Sequence, residues 1–333
     1  MLPITRRTLL AGLTATAMTP AFAETPHSAF GALSTAEDVT KGLDLRGKTV
    51  VITGCNSGLG FESMRVLAMH GAHVIGTART LEKGREACAQ VTDQTLGRKV
   101  DQKVGQNISP KISPPTPVVI ELTDFQSVVD CANRIRSLTA RIDVLMLNAG
   151  IVLESFEQVN GLEKQFVVNH LSHFILARRL MDLVRAAPQG RVVTVGSGFH
   201  AEAPAGGIQF DDLSGKGWFA HGYAHSKLAN GLFSLELSKR LAGTQATSNC
   251  LTPGPVLTNI RRYVASTAPK EAKTVEQGAA TQCYVATSPQ LARTTGEYFK
   301  DCNPAPQSND QRNAAMAAKL WDVSTQLTRK YLA

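Results

Sequence analysis

Short apolar runs alternate with helix-period segments from Lys48 onward. The runs TVVITG, HVIGTA, VVIEL, DVLMLN, RVVTVG, ATSNCL and EYFKD are rich in β-branched and aromatic residues and predict strands. Between them, helices are predicted at about Gly58 to His70, over LEKGREACAQV and DFQSVVDCANRIRSL, from roughly Gly161 to Ala187, over YAHSKLANGLFSLELSKRL and near Thr274 to Thr287. In the fifth of these, Leu228, Leu232, Leu235 and Leu241 fall on nearly one face. Strands that are apolar on both faces and alternate with helices predict a parallel sheet covered on both sides. The expected fold is α/β, a single doubly wound (Rossmann) domain of about seven strands spanning residues 47–330, with no internal repeat.

Two stretches break the rhythm. Residues 24–46 are polar and aperiodic, and are expected to be a linker or surface arm. Gly97 to Pro117 is rich in proline and basic residues, and is expected to be an inserted surface loop.

Composition adds an address. Thr5-Arg6-Arg7-Thr8-Leu9-Leu10 resembles a twin-arginine export motif, and an apolar stretch follows that ends Ala21-Phe22-Ala23. Residues 1–23 are thus expected to be a signal cleaved after Ala23, giving a periplasmic protein; a cytoplasmic one is the alternative if the signal does not function. The apolar stretch is too short to span a bilayer, and no later segment is a transmembrane candidate. The formal charge of +8 comes from scattered Lys and Arg without interleaved aromatics, so no nucleic-acid partner is expected. Six cysteines lack metal-ligand spacing and are expected to be buried free thiols; no metal site is expected.

The chemistry begins at VITGCNSGLG, where Gly54, Gly58 and Gly60 join the first strand to the first helix. Gly54 permits the sharp turn, Gly58 lets backbone approach a pyrophosphate, and Gly60 lets the helix pack on the sheet. The helix N-terminus supplies free N–H groups for the anion. The second strand ends Thr77-Ala78-Arg79, without the carboxylate that would read a ribose 2′-OH, so Arg79 favours NADP(H) over NAD(H). Tyr223 and Lys227 lie one helical turn apart, although five tyrosines make such a pair easy to obtain by accident. Ser197 follows a strand, at the carboxyl edge where ligands bind, and Asn169 is a polar residue inside an apolar helix.

These segments, with ITGCNSGLGFE, LNAG, VVNHLSHF, IQFDDL, TPGPVLTNI and GEYFKDC, resemble the short-chain dehydrogenase/reductase superfamily, and in detail its retinol-dehydrogenase-like branch, from about Lys48 to Leu327. The resemblance implies a catalytic tetrad of Asn169, Ser197, Tyr223 and Lys227. It implies cofactor contacts from Gly54, Asn56, Ser57, Gly58, Leu59, Gly60, Arg79, Leu122, Asn148, Ala149, Gly150, Tyr223, Lys227, Pro253, Gly254, Val256 and Thr258. The implied reaction moves a hydride between nicotinamide and the carbonyl or alcohol group of a lipophilic small molecule, in a protein that could form homo-oligomers. Tyr223 would be the general acid/base, its pKa lowered by Lys227; Ser197 would stabilise the substrate oxygen, and Asn169 would hold a water that relays protons.

Departures are a single serine in VGSGFH, Glu121 where an aspartate commonly borders the adenine, and LNAG lacking its first asparagine. His200, His221 and His225 are expected at the surface or pocket rim, with 198–222 and Pro255 to Lys273 forming the substrate walls and lid. A serine hydrolase is rejected, because Val195 replaces the first glycine of the nucleophile elbow and AEAPAGG follows where that elbow would lead into a helix. A protochlorophyllide-reductase-like activity and a non-catalytic dinucleotide-binding scaffold are the alternatives.

Overall fold

A computed structural model describes residues 25–97, 113–260 and 272–332. The proposed signal segment, most of the 97–117 insertion and the middle of the proposed lid lie outside the described residues. In chain order the elements begin with α1 (Ala36–Thr40), β1 (Thr49–Ile52), α2 (Gly58–Met69), β2 (His73–Ala78), α3 (Leu81–Gly97) and β3 (Thr116–Val119). Next come α4 (Phe125–Leu138), β4 (Val144–Leu147), β5 (Gln158–Val159), β6 (Leu162–Glu163), α5 (Lys164–Phe166) and α6 (Ser172–Arg185), then β7 (Arg191–Val195). The last are α7 (Gly222–Arg240), β8 (Thr247–Thr252), α8 (Val275–Thr287), β9 (Tyr298–Lys300), β10 (Asn303–Pro304) and α9 (Ala314–Thr328).

The main sheet runs β10-β9-β8-β7-β4-β1-β2-β3. Seven strands are parallel, as the pattern predicts; the eighth, β10, pairs antiparallel with β9 at the edge. Chain direction away from β1 reverses between β1 and β4, the crevice where doubly wound sheets bind ligands.

Alternation along the strands divides the interior. Val51, Ile75 and Leu145 join a core with α4, α6, α7 and α9, whereas Val50, Ile52, Val74 and Met146 join one with α1, α2 and α8. Each fully buried aliphatic side chain contributes about 1.5–3 kcal/mol, so both faces anchor the sheet edge that carries the loops.

Several elements differ from expectation. The supposed surface arm contains α1, closed by a Thr35–Asp38 capping box, and it buries Ala36 and Val39. Five residues are too few to register as a period, although the cap pair is visible in the sequence. The helix expected from Gly161 begins later: Asn160 and Gly161 adopt positive φ and close the β5–β6 hairpin. An Asn-Gly pair is the usual signature of that turn. Thr116 and Pro117 belong to the edge strand β3 rather than to the insertion. Proline is tolerated there because an edge strand leaves one side of its ladder unpaired. The C-terminal α9, absent from the sequence-based expectation, seals one core with Leu320 and Trp321.

Candidate active site

Loops leaving β1, β2, β3 and β4 border a groove of about 740 Å³ on the carboxyl side of the sheet. Gly54, Asn56, Ser57, Gly58, Leu59, Gly60, Arg79, Leu122, Asn148, Ala149, Gly150 and Thr258 all line it. Gly54 and Gly58 have φ of 73° and 58°, the left-handed region that costs a β-carbon dearly. A Cβ at Gly60 would collide with the Gly54 carbonyl oxygen, so the turn is closed by backbone packing on backbone.

The N-terminus of α2 fits an anion. Ser57 makes no side-chain cap, and the first turn carries no acidic residue, so N–H groups remain for a ligand in the groove. Arg79 stands exposed on the lip just past β2. Glu121 is turned onto its own loop, accepting from the Thr123 amide and hydroxyl at 2.9 and 2.8 Å.

Of the other expected cofactor contacts, Pro253, Gly254, Val256, Tyr223 and Lys227 do not line this groove. The side chain of Val256 faces α8, where a Cβ on Gly278 would meet it at 2.6 Å. The backbone of Val256 bridges to Lys273, which closes the base of the segment carrying Thr258.

Two of the four expected catalytic residues, Asn169 and Lys227, meet at Gly150 on the groove wall, and Tyr223 and Ser197 follow through Lys227. A Cβ on Gly150 would sit 3.2 Å from Asn169 Oδ1 and 3.6 Å from Lys227 Nζ. Tyr223 and Lys227 occupy successive turns of α7, with Nζ 5.6 Å from the ring centroid. Lys227 Nζ donates to the Val195 carbonyl at 3.0 Å. Ser197 follows β7, accepts from the Phe199 amide at 3.2 Å and meets the Tyr223 hydroxyl. Asn169 lies in a π-helical segment, Val167–Leu171, between α5 and α6. Such segments widen one turn and recur at functional sites. The Asn169 amide clamps Ile151 through N–H to Oδ1 (2.8 Å) and Nδ2–H to O (3.0 Å), and donates to Ser226 Oγ at 2.9 Å. Ser226 in turn donates to the Tyr223 carbonyl at 2.7 Å.

Electrostatics overturn one expectation. Burial pushes the Tyr223 phenol up to about 12, and the Ser197 contact opposes this only in part. The phenol thus stands above its ordinary value, opposite to the lowered value that the resemblance implied. Burial instead brings Lys227 itself down to about 8. Both shifts have one cause, loss of solvent around the charged form, nearly complete at Lys227 and partial at the half-buried Tyr223, and among the described residues no carboxylate pairs with the ammonium.

The histidines do not converge, and only His221 is exposed as expected; His200 and His225 are buried. His200 bonds the Ser197 carbonyl at 2.7 Å, His221 the Glu202 carbonyl at 2.9 Å, and His225 stacks on Trp218 at 4.0 Å. All six cysteines are buried free thiols, as expected. Two supporting residues escaped the sequence reading. Thr53 Oγ1 accepts from the amides of Asn148 and Ala149 at 2.9 and 3.0 Å, and Gln282 on α8 donates to Asn148 Oδ1 at 3.3 Å. Thr53 follows β1 directly before Gly54, which is the only signal it offered.

Similarity to known proteins covers the same region. A family model described as short chain dehydrogenase matches residues 48–269. The chain is 34% identical over 317 residues to the short-chain dehydrogenase TIC 32 B of Brassica napus, a chloroplastic protein, covering 90% of this chain and 94% of that one. It is 35% identical over 302 residues to retinol dehydrogenase 12 of Mus musculus, covering 86% and 88%. Among solved structures, an uncharacterised protein of Mycobacterium paratuberculosis superposes with a TM-score of 0.67 at 28% identity, over 87% of this chain and 97% of that one. A short chain dehydrogenase of Escherichia coli CFT073 complexed with NADPH shares the fold at TM-score 0.60 and 20% identity, over 77% and 96%.

Proposed function

The chain belongs to the short-chain dehydrogenase family, and from that premise we propose that this oxidoreductase interconverts the carbonyl and alcohol forms of a lipophilic small molecule with NADP(H). The observation that carries the proposal is the linked set in which Asn169 and Lys227 meet at Gly150 and Lys227 lies beside the Tyr223 ring that meets Ser197, next to a groove whose glycine turn and uncapped helix suit a dinucleotide.

Each side chain has a role that its surroundings support. The glycine turn and the α2 N-terminus bind the pyrophosphate, and Arg79 meets the 2′-phosphate. When bound, the nicotinamide supplies or accepts the hydride at the carbonyl carbon. Tyr223, a neutral phenol at pH 7 given its raised pKa of about 12, donates a proton to the carbonyl oxygen in reduction. Ser197 donates to the same oxygen as charge develops on it. Lys227 holds a positive charge beneath the site, and Asn169 fixes the backbone of Ile151 and, through Ser226, the first turn of α7. A relay water beside Asn169 completes the proposed proton route.

Exposed apolar side chains border the opening and support a lipophilic substrate. Phe199 is 53% exposed with its ring 6.0 Å from that of Tyr223, and Leu257, next to Thr258, is 54% exposed. The test is NADPH oxidation by the purified protein against a panel of lipophilic aldehydes and ketones. Turnover with NADPH supports the proposal; tight nucleotide binding without turnover of any member would replace it with a scaffold role. We also propose export through the twin-arginine-like segment, which an N-terminus at Glu24 in the mature protein would support and an intact residue 1 would refute.

A further inference from the structure

His173, one turn beyond Asn169, has both ring nitrogens engaged in the buried space between β1 and α6. Nε2 lies 2.9 Å from Thr53 Oγ1, and Nδ1 lies 3.0 Å from the backbone carbonyl of Asn169. Thr53, His173 and Asn169 are each at most 3% exposed, so no solvent competes for these bonds.

Counting donors settles the direction of every bond. The Thr53 hydroxyl has two lone pairs, and both accept, from the Asn148 and Ala149 amides. Its single proton is left for His173 Nε2, which must accept. The imidazole proton then sits on Nδ1 and is donated to the Asn169 carbonyl. Burial and the nearby Lys227 cation hold His173 down to about 4, against the opposing pull of the Asn169 carbonyl, and His170 is the other titratable ring close by. The ring therefore stays neutral at working pH.

The two ends of this chain are the two halves of the site. Asn148 and Ala149 line the groove, and Asn169 sits in the π segment whose amide clamps Ile151 and reaches α7 through Ser226. We propose that Thr53 and His173 form a buried positioning pair, with His173 fixed as the neutral Nδ1–H tautomer, that holds the nucleotide-side turn at Asn148–Ala149 in register with the Asn169 backbone. His173 touches neither substrate nor cofactor; it acts through Asn169 on one side and through Thr53 on the other. This inference rests on the proposed nucleotide site, but the tautomer is measurable without any ligand.

The first test is a long-range proton–nitrogen NMR spectrum of the 15N-histidine-labelled protein. A pyrrole-type Nδ1 and pyridine-type Nε2 for His173, unchanged between about pH 5.5 and about pH 8, is expected; an Nε2–H tautomer or a titrating ring overturns the proposal. The second compares two variants, each keeping one arm. His173→Asn retains a donor near Nδ1 but loses Thr53, and should weaken NADPH binding by about tenfold while leaving kcat within about threefold. His173→Gln retains an acceptor near Nε2 but releases Asn169, and should lower kcat by about tenfold with NADPH affinity within about threefold. Equal losses in both parameters for both variants, at equal melting temperatures, overturn the positioning role. If the wild type binds no NADPH, the nucleotide reading fails, and the NMR pattern still decides the hydrogen-bond assignment.

Discussion

One turn of α7 brings Lys227 Nζ to 5.6 Å from the Tyr223 ring, yet its hydrogen bond goes to the Val195 carbonyl rather than to the phenol. The pair is thus poised with the phenol protonated, its pKa near 12, and the amine weakened to about 8.

This sets the pH behaviour of the two directions. Reduction needs the phenol as a proton donor and should hold nearly constant from about pH 6 to about pH 7.5. Oxidation needs the phenolate and should rise by up to about tenfold per unit between about pH 7 and about pH 9. Initial rates in both directions across that range check it; an oxidation rate that does not change over those units would be inconsistent with a raised phenol.

Lys227 also carries a stability cost. Its folded pKa of about 8 lies below the ordinary 10.5, so the unfolded chain binds the extra proton between those values and stability rises with pH through that window. Below it, the full cost of the buried charge remains. Lys227→Met should therefore abolish turnover while stabilising the fold by about 1–3 kcal/mol at pH 7, after the lost bond to Val195 is subtracted. The advantage should shrink toward pH 10, which thermal melts at the two pH values measure; a variant less stable than wild type at pH 7 would refute the charge-burial account.

Arg79 on the lip of the groove is expected to decide between dinucleotides. Arg79→Ala should weaken NADPH binding by about tenfold, the scale of a charge-assisted phosphate contact, and leave NADH nearly unchanged. Parallel fluorescence titrations with both nucleotides test this, and equal losses for the two would remove Arg79 from the 2′-phosphate role.

Two glycines separate backbone necessity from tolerance. Gly60→Ala drives a Cβ into the Gly54 carbonyl and should cost more than about 2 kcal/mol together with nucleotide binding. A Cβ on Gly198, next in sequence to the Ser197 that meets Tyr223, would meet nothing within 4 Å, so Gly198→Ala should stay within about 0.5 kcal/mol of wild type. Urea unfolding of the two variants gives the comparison.

Much of this was legible in the chain because it is periodic or local. The seven parallel strands follow from two-sided apolar runs, and the cofactor turn follows from glycine spacing after β1. What escaped was short or non-local. The five residues of α1 are fewer than two turns, and the β5–β6 hairpin is two residues a side. Thr53 and His173 are 120 positions apart, and only the folded chain shows that they share a proton. The direction of the Tyr223 shift also escaped, because the pairing with Lys227 is visible in sequence whereas the depth of burial that outweighs it is not. Val256 illustrates the converse: its motif position is right for a cofactor contact, but its side chain packs against α8.

The central claim is that Tyr223 donates and removes the proton at the substrate oxygen, and Tyr223→Phe tests it most directly. The variant loses one hydroxyl from a half-buried ring and keeps the glycine turn intact. NADPH-dependent reduction of a carbonyl turned over by the wild type should fall by at least about a thousandfold, with the NADPH dissociation constant unchanged within about twofold. A Tyr223→Phe protein that reduces the same carbonyl at a rate near wild type would contradict the account.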